Sequence, residues 1–454
     1  MSTIKVLGQL DPNFAWDGKS ILTDADLAIG TAVPSHLRGA VAAVLTDGND
    51  RWRLVRDPLG LNKLFWAAEA DGSLAVAACP HVLTQARWSL DEIHALPRGS
   101  VCDLDGRGSE GQQQSIRPES WFSGDATRST DLEHIAGEIR AGIGGYLEAL
   151  AAAHPGSPVF VCLSGGLDSS GIAAMTCEHF SEVTAVTFDL ARPGNEASDD
   201  RGAAQRLARD LGLPFLEAIV TADQLLANLD AVLIGGIDWR DFNVHAALVN
   251  AVLAATIRDS TKECHEGRSP IVLTGDLANE FLVDYHAEEY RGAQYYELPA
   301  LSPAALRRSL IQGLDTCHRE IGVFAAWNLA LVQPYAAATD AYLALPESFL
   351  TRDDRKQELS RLIFDKQLPS YIYERPKVRA QMGSLQPGYG VLAACADHGV
   401  TAASLRRRFA ELHQVEDHKA LDRFIRAGRY RSKVPSLAAP DPGAEGATVP
   451  TGGA

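Results

Sequence analysis

The sequence predicts two structural classes in one chain: an α+β region over residues 1–120, and an α/β region with a parallel sheet over residues 130–432. Before residue 120, short strand-like runs are separated by turn residues, a pattern typical of hairpins. After residue 130, apolar runs alternate with amphipathic stretches, which indicates βαβ units. The last stretch, 433–454, is rich in proline, glycine and alanine, and we expect a disordered tail there.

The composition is that of a globular protein, with 46% hydrophobic and 22% charged residues over 454 positions, enough chain for two cores. The net charge of −16 disfavours nonspecific binding to nucleic acids or anionic membranes. No apolar run approaches the roughly 18 residues of a membrane span, and the first residues lack a signal-peptide pattern. The seven scattered cysteines indicate buried thiols in a reducing compartment. We therefore expect a cytoplasmic protein with small-molecule partners and no nucleic-acid or membrane partner, and a homodimer is an open alternative.

The first region contains apolar runs bounded by turns. The pair around Asp71-Gly72 carries the sequence signal of a β-hairpin. Polar, turn-rich residues 109–131 mark the expected domain boundary. The predicted strands are 40–45, 52–56, 64–68, 74–78 and one within 96–104.

The second region begins with a helix predicted over 131–153 and a buried strand over 159–163. This strand runs into the loop Ser-Gly-Gly-Leu-Asp-Ser-Ser at 164–170, followed by a helix. Unpaired N–H groups, glycines and hydroxyls at a helix start suit a phosphate. Asp168 would repel a phosphate unless a metal ion lies between them, so the loop predicts a nucleotide together with Mg²⁺. The alternative is a tight turn whose Asp or Ser only caps the helix.

Further strands and helices follow in alternation. We predict strands over 183–190, 214–220 and 270–274, a helix over 195–212, and helical structure over 300–346 that includes 318–335. Acidic and amide side chains follow the strand that ends at Thr274, and a basic segment, 375–383, follows a long helix.

The loop resembles the pyrophosphate loop of the N-type ATP pyrophosphatases, and within them that of asparagine synthetase and β-lactam synthetase. It lacks the Gly-Lys-Ser/Thr ending of the Walker loop. The resemblance implies ATP and Mg²⁺ as ligands, with the end of the second parallel strand framing the adenine. The residues that it assigns to ATP and pyrophosphate are Ser164, Gly165, Gly166, Leu167, Asp168, Ser169, Ser170, Val186, Thr187, Phe188 and Gly275.

The first region resembles the glutaminase domain of asparagine synthetase at 56–60, 64–65 and 96–99. The glutaminase activity of that family needs a cysteine at position 2, where this chain has Ser2. We therefore expect a degenerate glutaminase-like sandwich without its own ammonia supply, as in β-lactam synthetase. Ser2 as a hydroxyl nucleophile is the alternative, although a hydroxyl is a poorer nucleophile than a thiolate.

The stretch after Thr274 is similar to the second active-site segment of these synthetases. Gly275 and Glu280 match, whereas Asp276 stands where the family has Glu or Tyr, and Asn279 stands where it has an Asp that binds Mg²⁺. The resemblance implies Asp168, Asp276 and Asn279 as metal ligands. The alternative is that Asp276 and Asn279 only cap a helix.

Three side chains are expected to act in catalysis. Lys377 lies in a segment that resembles the one whose lysine neutralises the reacting centre, and Glu320 is a counterpart of the glutamate that pairs with the catalytic tyrosine of β-lactam synthetase. Asp276 or Glu320 would deprotonate the amine. The alternatives are an exposed helix charge for Glu320 and a solvated basic loop for Lys377.

These features imply an ATP-dependent ligase that adenylates a carboxylate, releases pyrophosphate, and lets an intramolecular or separate amine attack. We expect a β-lactam-synthetase-like enzyme of natural-product biosynthesis. One alternative is an ammonia-dependent asparagine synthetase. Another, of a different class, is an inactive scaffold that retains the fold.

Overall fold

The computed structural model describes residues 3–105, 112–116, 131–192, 196–262, 269–290, 293–364, 367–379, 381–382, 390–426 and 429–437. Ser2, most of the expected boundary 109–131 and residues 438–454 of the expected tail lie outside the described residues.

The first region consists of two four-stranded sheets. One has the order β1-β5-β4-β6, with β1 parallel to β5 and the other pairs antiparallel, and the other is antiparallel with the order β2-β3-β7-β8. Leu54 and Cys102 of the second sheet share a core with Trp66 and Val76 of the first, so the sheets pack face to face. The elements are β1 Ile4–Val6, β2 Ala42–Thr46, β3 Arg51–Arg56, β4 Phe65–Ala68, β5 Leu74–Ala77, α1 Pro80–Ala86, β6 His94–Ala95, β7 Ser100–Asp105 and β8 Gln112–Ser115.

The second region is built on a five-stranded parallel sheet with the order β11-β10-β9-β12-β15. Strand β9 lies at its centre, and later strands are added on either side of it. In open α/β sheets, a crevice forms outside the carboxyl ends of the strands where the order reverses. The strands of this region are β9 Val159–Cys162, β10 Val183–Leu190, β11 Phe215–Val220, β12 Ile271–Leu273, β13 Glu288–Tyr290, β14 Ala293–Tyr296, β15 Ala330–Val332, β16 Ile425–Arg426 and β17 Arg429–Tyr430.

Helices cover the parallel sheet. The first begins after Asp131, whose side chain accepts a hydrogen bond from His134 N, and it buries residues at the predicted helical spacing, Ile135, Ile139 and Ile143 among them. The helices are α2 Leu132–Ala153, α3 Leu167–His179, α4 Asp199–Asp210, α5 Ala222–Leu226, α6 Leu229–Gly235, α7 Asp241–Thr261, α8 Ala278–Leu282, α9 Pro303–Gly313, α10 Ile321–Ala325, α11 Thr339–Leu343, α12 Glu347–Leu350, α13 Arg355–Phe364, α14 Ser370–Glu374, α15 Val391–Asp397, α16 Ala402–Leu412 and α17 His418–Phe424. None of the helices in these described ranges is long and apolar enough to cross a membrane.

The predicted helix over 318–335 is wrong for most of its length. Helix α10 covers only Ile321–Ala325, and Asn328 has a positive φ of 56° that turns the chain. Residues Ala330–Val332 then form β15, which pairs in parallel with β12 at the sheet edge. A short apolar run suits a buried strand as well as a buried helix, and pairing with a distant strand decides between them.

Residues 433–437, which the composition assigns to the tail, pack against the first region. Lys433 N donates to Ala95 O at 3.1 Å, and Trp66 Nε1 donates to Lys433 O at 3.0 Å. Leu437 is 1% exposed and joins the core between the two sheets. These contacts with a distant strand fix a segment whose own composition favours disorder.

A buried polar contact joins the two regions. Arg56 is fully buried and donates to Asn62 O at 2.9 Å, to Leu96 O at 2.5 Å and to the carboxylate of Asp315. Lys63 Nζ donates to Leu314 O at 2.9 Å. The donors come from the first region, whereas Asp315 and Leu314 follow α9, so contact between the regions supplies Arg56 with a carboxylate and Lys63 with a further acceptor.

Candidate active site

A cavity of about 390 Å³ lies at the carboxyl ends of β9, β10 and β12, where the strand order reverses. The structure brings nearly all the predicted site residues to its wall. They are Ser164, Gly166, Leu167, Asp168, Ser169, Val186, Thr187, Phe188, Gly275, Asp276, Asn279, Glu320 and Lys377. The exceptions, Gly165 and Ser170, belong to the same loop but do not line the cavity.

The loop after β9 is held by its own hydroxyl groups. Ser164 N donates to Ser169 Oγ at 3.2 Å, and Ser169 Oγ donates to Gly166 O at 3.1 Å. In the described part of the chain, no side chain caps the start of α3, and Leu167, Asp168 and Ser169 of its first turn line the cavity. A helix start of this kind favours an anion.

Two glycines are required by the geometry around this loop. Gly165 has a φ of +68°, and a Cβ there would lie 2.5 Å from the Cβ of Ala203 on α4. A Cβ on Gly275 would lie 2.6 Å from Ser169 N, so the end of β12 packs directly on the first turn of α3. Any larger residue would push the loop away from its neighbours.

Two lysines converge on three oxygen-bearing side chains beside the loop. Lys356 Nζ lies 2.6 Å from Asp168 Oδ2, 2.6 Å from Asn279 Oδ1 and 3.0 Å from Asp284 Oδ2. Lys377 Nζ lies 3.1 Å from Asn279 Oδ1 and 2.7 Å from Asp284 Oδ2. Asn279 and Asp284 therefore accept from the same two ammonium groups.

The electrostatics of this cluster follow from burial and opposite charge. Burial opposes charge on Lys356, but Asp168 and Asp284 outweigh it and raise its pKa. Burial and the nearby Lys356 ammonium lower the pKa of Lys377. Burial would raise the pKa of Asp284, but the two lysines hold it well below its usual range. Asp284 is therefore ionised at any physiological pH.

The predicted magnesium ligands are only partly brought together. Asp168 and Asn279 meet through Lys356, with Asp284 beside them, and carboxylate and amide oxygens are the donors that Mg²⁺ takes. Asp276 belongs to another set of charges. Within the described ranges, no group of three or more His, Cys, Asp or Glu side chains is arranged to hold a metal ion. The donor chemistry thus fits an ion that also takes oxygens from a bound phosphate.

A second charged cluster surrounds Arg319. Its Nε donates to Glu320, and its guanidinium lies 3.9 Å from the carboxylate of Glu280, to which Tyr285 donates at 2.7 Å. Burial, and then the nearby Glu320, raise the pKa of Asp276 to about 7. Glu320 is not an exposed helix charge, since its side chain is 15% exposed and precedes α10.

The segment that carries Lys377 is fixed to the pyrophosphate loop by its first residue. Arg375 pairs with the buried Asp200 of α4 and donates to Ser164 O at 3.2 Å. Burial raises the pKa of Asp200 to about 6, although Arg375 opposes this. Further along, Arg379 Nε donates to Glu288 at 2.8 Å. These contacts contradict the solvated-loop alternative for Lys377; Ala380 and Gly383 of the segment lie outside the described residues.

Sequence reasoning missed Lys356, Asp284 and Arg319. The signal for Lys356 was a charged run, Asp353 to Lys356, at the start of an amphipathic helix, but such runs are usually solvated. Helix α8, which carries Asn279, is bracketed by Leu277 and Val283 with φ values of +88° and +56°. Left-handed backbone at such residues is rare and clusters at functional sites.

Comparisons with known proteins show what the chain is similar to. Residues 151–330 match the family model described as Asparagine synthase. The chain is 25% identical to the carboxyethyl-arginine beta-lactam-synthase of Streptomyces clavuligerus over 355 residues, which is 76% of this chain and 61% of the relative. It is 24% identical to asparagine synthetase B (glutamine-hydrolyzing) of Escherichia coli (strain K12) over 366 residues, 75% of this chain and 60% of the relative. The chain thus spans about three fifths of the length of these relatives.

Two solved structures are similar only distantly. NMN synthetase from Francisella tularensis has a TM-score of 0.30 at 12% identity, over 63% of this chain and 95% of that one. The NH3-dependent NAD synthetase from Campylobacter jejuni has a TM-score of 0.29 at 13% identity, over 62% and 95%. The resemblance to asparagine synthetase and β-lactam synthetase is confirmed by the family match over residues 151–330 and by the two relatives.

Proposed function

We propose that this protein is an ATP-dependent, AMP-forming carboxylate–amine ligase of the β-lactam-synthetase type, acting in natural-product biosynthesis. The observation that carries the proposal is one cavity in which an uncapped helix start adjoins two lysine ammonium groups. Such an arrangement suits the charge of a triphosphate and of its leaving group.

The first step is attack of a carboxylate oxygen on the α-phosphorus of ATP. The bond to the bridging oxygen breaks, pyrophosphate leaves with the electron pair, and an acyl-adenylate remains. The first N–H groups of α3 and the hydroxyls of Ser164 and Ser169 hold the leaving pyrophosphate, and Lys356 offsets its charge. Val186, Thr187 and Phe188 at the end of β10 border the adenine. Catalysis here is alignment and charge neutralisation.

Magnesium fits beside the loop. Asp168 and Asn279 would hold it, with Asp284 next to them, and a bound Mg²⁺ would neutralise phosphate charge. Lys356 donates to the same oxygens of Asp168 and Asn279 and would offset further phosphate charge. Asp276 is the third ligand that the resemblance implies, but the charged side chains that act on it are Glu320, Arg319 and Glu280, and we assign it to proton transfer.

The second step is attack of an amine on the acyl carbonyl, with AMP as the leaving group. Lys377 stabilises the oxyanion that develops on the carbonyl. Asp276 or Glu320 takes the proton from the amine, and the raised pKa of Asp276, about 7, suits a base that works near neutral pH. The first region would act as a degenerate glutaminase-like domain without ammonia supply.

The test is ATP–pyrophosphate exchange with a panel of carboxylic acids, together with identification of the nucleotide product. We expect Mg²⁺-dependent exchange, AMP as product, and loss of exchange in Asp168→Ala. The matched control is Asp259→Ala, whose side chain is 70% exposed near the end of α7. Release of ADP would refute adenylation, and absence of exchange with every acid would favour the scaffold alternative.

A further inference from the structure

A second cavity, of about 480 Å³, adjoins the first. Its wall includes Leu61 of the first region, the end of α9 and the start of α7. Phe242, Glu280, Tyr285, Arg319 and Glu320 line both cavities. The two spaces therefore meet at the Arg319 cluster, where the proposed proton acceptor Glu320 lies.

The second cavity is much larger than an ammonia molecule needs. A water molecule, which is similar in size, takes about 30 Å³ of liquid volume. Cavities of roughly 300–1,000 Å³ are typical of sites for small organic ligands. The space next to Glu320 thus accommodates an amine that is borne on a larger molecule.

The charge of the wall favours a cation. Asp241, Glu280 and Glu320 contribute carboxylates, and Arg319 is opposed to them. Arg240 also lines the cavity, but its guanidinium is paired with the buried Asp238 at 2.6 Å. Along the described wall, three carboxylates therefore face the single guanidinium of Arg319, and a bound ammonium group would offset part of the remaining negative charge.

Three aromatic rings form part of the wall. Phe242 and Tyr296 stack with their centroids 4.7 Å apart, and Tyr285 lies 5.9 Å from Tyr296. Arg319 already lies over Phe242 and Arg379 over Tyr296, at 5.6 and 5.0 Å from the ring centroids. The rings therefore provide apolar contact for the body of a ligand, and the carboxylates provide the attraction for its ammonium group.

We propose that the acyl acceptor is a primary amine carried on an organic molecule with an apolar or aromatic body, which binds the second cavity as an ammonium ion, and that free ammonia is not the acceptor. This inference rests on the proposed function. Glu320 or Asp276 takes one proton from the ammonium, the neutral nitrogen bonds to the acyl carbon, and the bond to AMP breaks. The nitrogen then loses its second proton to the other of these two carboxylates as the amide forms.

The experiment measures binding of benzylamine, which is protonated at neutral pH, against benzyl alcohol, its uncharged analogue, by isothermal titration and saturation-transfer NMR. We expect benzylamine to bind at least tenfold more tightly than benzyl alcohol, because a charge-assisted hydrogen bond contributes about 1.5–3 kcal/mol. In Glu320→Gln the preference should disappear. Equal affinities for the two probes in the unmodified protein would overturn the inference.

A second variant tests the location. Gly313 lines only the second cavity, and a Cβ there meets no atom within 4 Å, so Gly313→Phe should fill space without disturbing the backbone. We expect it to weaken benzylamine binding at least tenfold. Gly137→Phe is the matched control, because Gly137 is exposed on α2 with the same free space. Unchanged benzylamine affinity in Gly313→Phe would refute this cavity as the site.

Binding of ATP with Mg²⁺ is measured for each protein, and thermal unfolding confirms the fold. Failure of the unmodified protein to bind ATP would refute the proposed function itself. ATP binding without any preference for benzylamine would refute only the acceptor inference.

Discussion

Lys356 Nζ lies 2.6 Å from a carboxylate oxygen of Asp168, the second residue of α3, although the two residues are 188 positions apart in the chain. The contact places a buried cation at the start of the helix that would receive phosphate. It also satisfies an aspartate whose charge would otherwise oppose a bound anion.

We predict that Lys356→Met weakens binding of inorganic pyrophosphate with Mg²⁺ at least tenfold, because a charge-assisted hydrogen bond of about 1.5–3 kcal/mol is lost. Isothermal titration measures the affinity. The control is Lys419→Met, since Lys419 is exposed on α17. Equal pyrophosphate affinity in the two variants would remove Lys356 from the phosphate site.

Asp284 should be replaceable by a carboxylate at position 279, because both positions accept from the same two ammonium groups. Asp284→Asn alone leaves two lysines with one carboxylate, and breaking such a buried pair costs about 3–5 kcal/mol. The double variant Asn279→Asp/Asp284→Asn should regain most of this stability. Urea unfolding measures the free energy of unfolding of the unmodified protein, the single variant and the double variant. If the double variant were no more stable than Asp284→Asn, positions 279 and 284 would not share the same two lysines.

The pair formed by Arg375 and Asp200 should hold the Lys377 segment against the pyrophosphate loop. In Arg375→Ala we expect trypsin to cleave after Lys377 several-fold faster, because the segment is released from Ser164 O. Mass spectrometry identifies the cleavage site. Arg308→Ala, at an exposed position of α9, should leave the rate unchanged; no acceleration in Arg375→Ala would show that other contacts suffice.

Two arginines of strand β3 should differ in their contribution to stability. Arg56→Leu leaves Asp315 buried without its partner, which should lower the free energy of unfolding by about 3–5 kcal/mol. Arg51→Leu removes an exposed pair with Asp47 and should change it by less than about 1 kcal/mol. Denaturant unfolding gives the free energy of unfolding of both variants. Equal values would show that the Arg56–Asp315 contact does not stabilise the fold.

Burial lowers the pKa of His413 to about 3, so the folded protein keeps this histidine neutral. The unfolded chain binds a proton near pH 6.5, and stability should therefore fall as pH drops from 6.5 towards 3, by about 1.4 kcal/mol per pH unit for this residue. His413→Gln should flatten the pH dependence of unfolding, and His36→Gln, at an exposed position, should not. Equal slopes in all three proteins would mean that His413 is protonated when folded.

The sequence was most informative where the chemistry is local. The loop at 164–170 combines glycines, hydroxyls and an aspartate between a strand and a helix, and each of these follows from neighbouring residues. Four of the five strands of the parallel sheet, β9 to β12, also lie near their predicted positions, because buried strands are short apolar runs between turns.

Features that depend on distant partners were not predictable in this way. Nothing near Lys356 shows that it meets Asp168, and Asp284 was not singled out because its partners come from other helices and loops. Residues 330–332 are predicted as helix but form strand β15, because their own sequence does not indicate the pairing with β12. The resemblance assigns Asp276 and Asn279 to the same ion. In the structure Glu320, Arg319 and Glu280 act on the charge of Asp276, whereas Asn279 accepts from Lys356 and Lys377.

The segment 431–437 returns to the first region after the chain has built the parallel sheet, so the second region contacts the two small sheets at both of its ends. Separation of the two regions would therefore break the contacts of residues 431–437 together with the buried Arg56–Asp315 pair. A fragment that stops at residue 430 would lose the contacts of Lys433 and Leu437 with Trp66 and the core between the small sheets. A fragment that starts at residue 131 would keep residues 431–437 but lack the sheets that they contact. We therefore expect the second region to depend on the two small sheets for its stability.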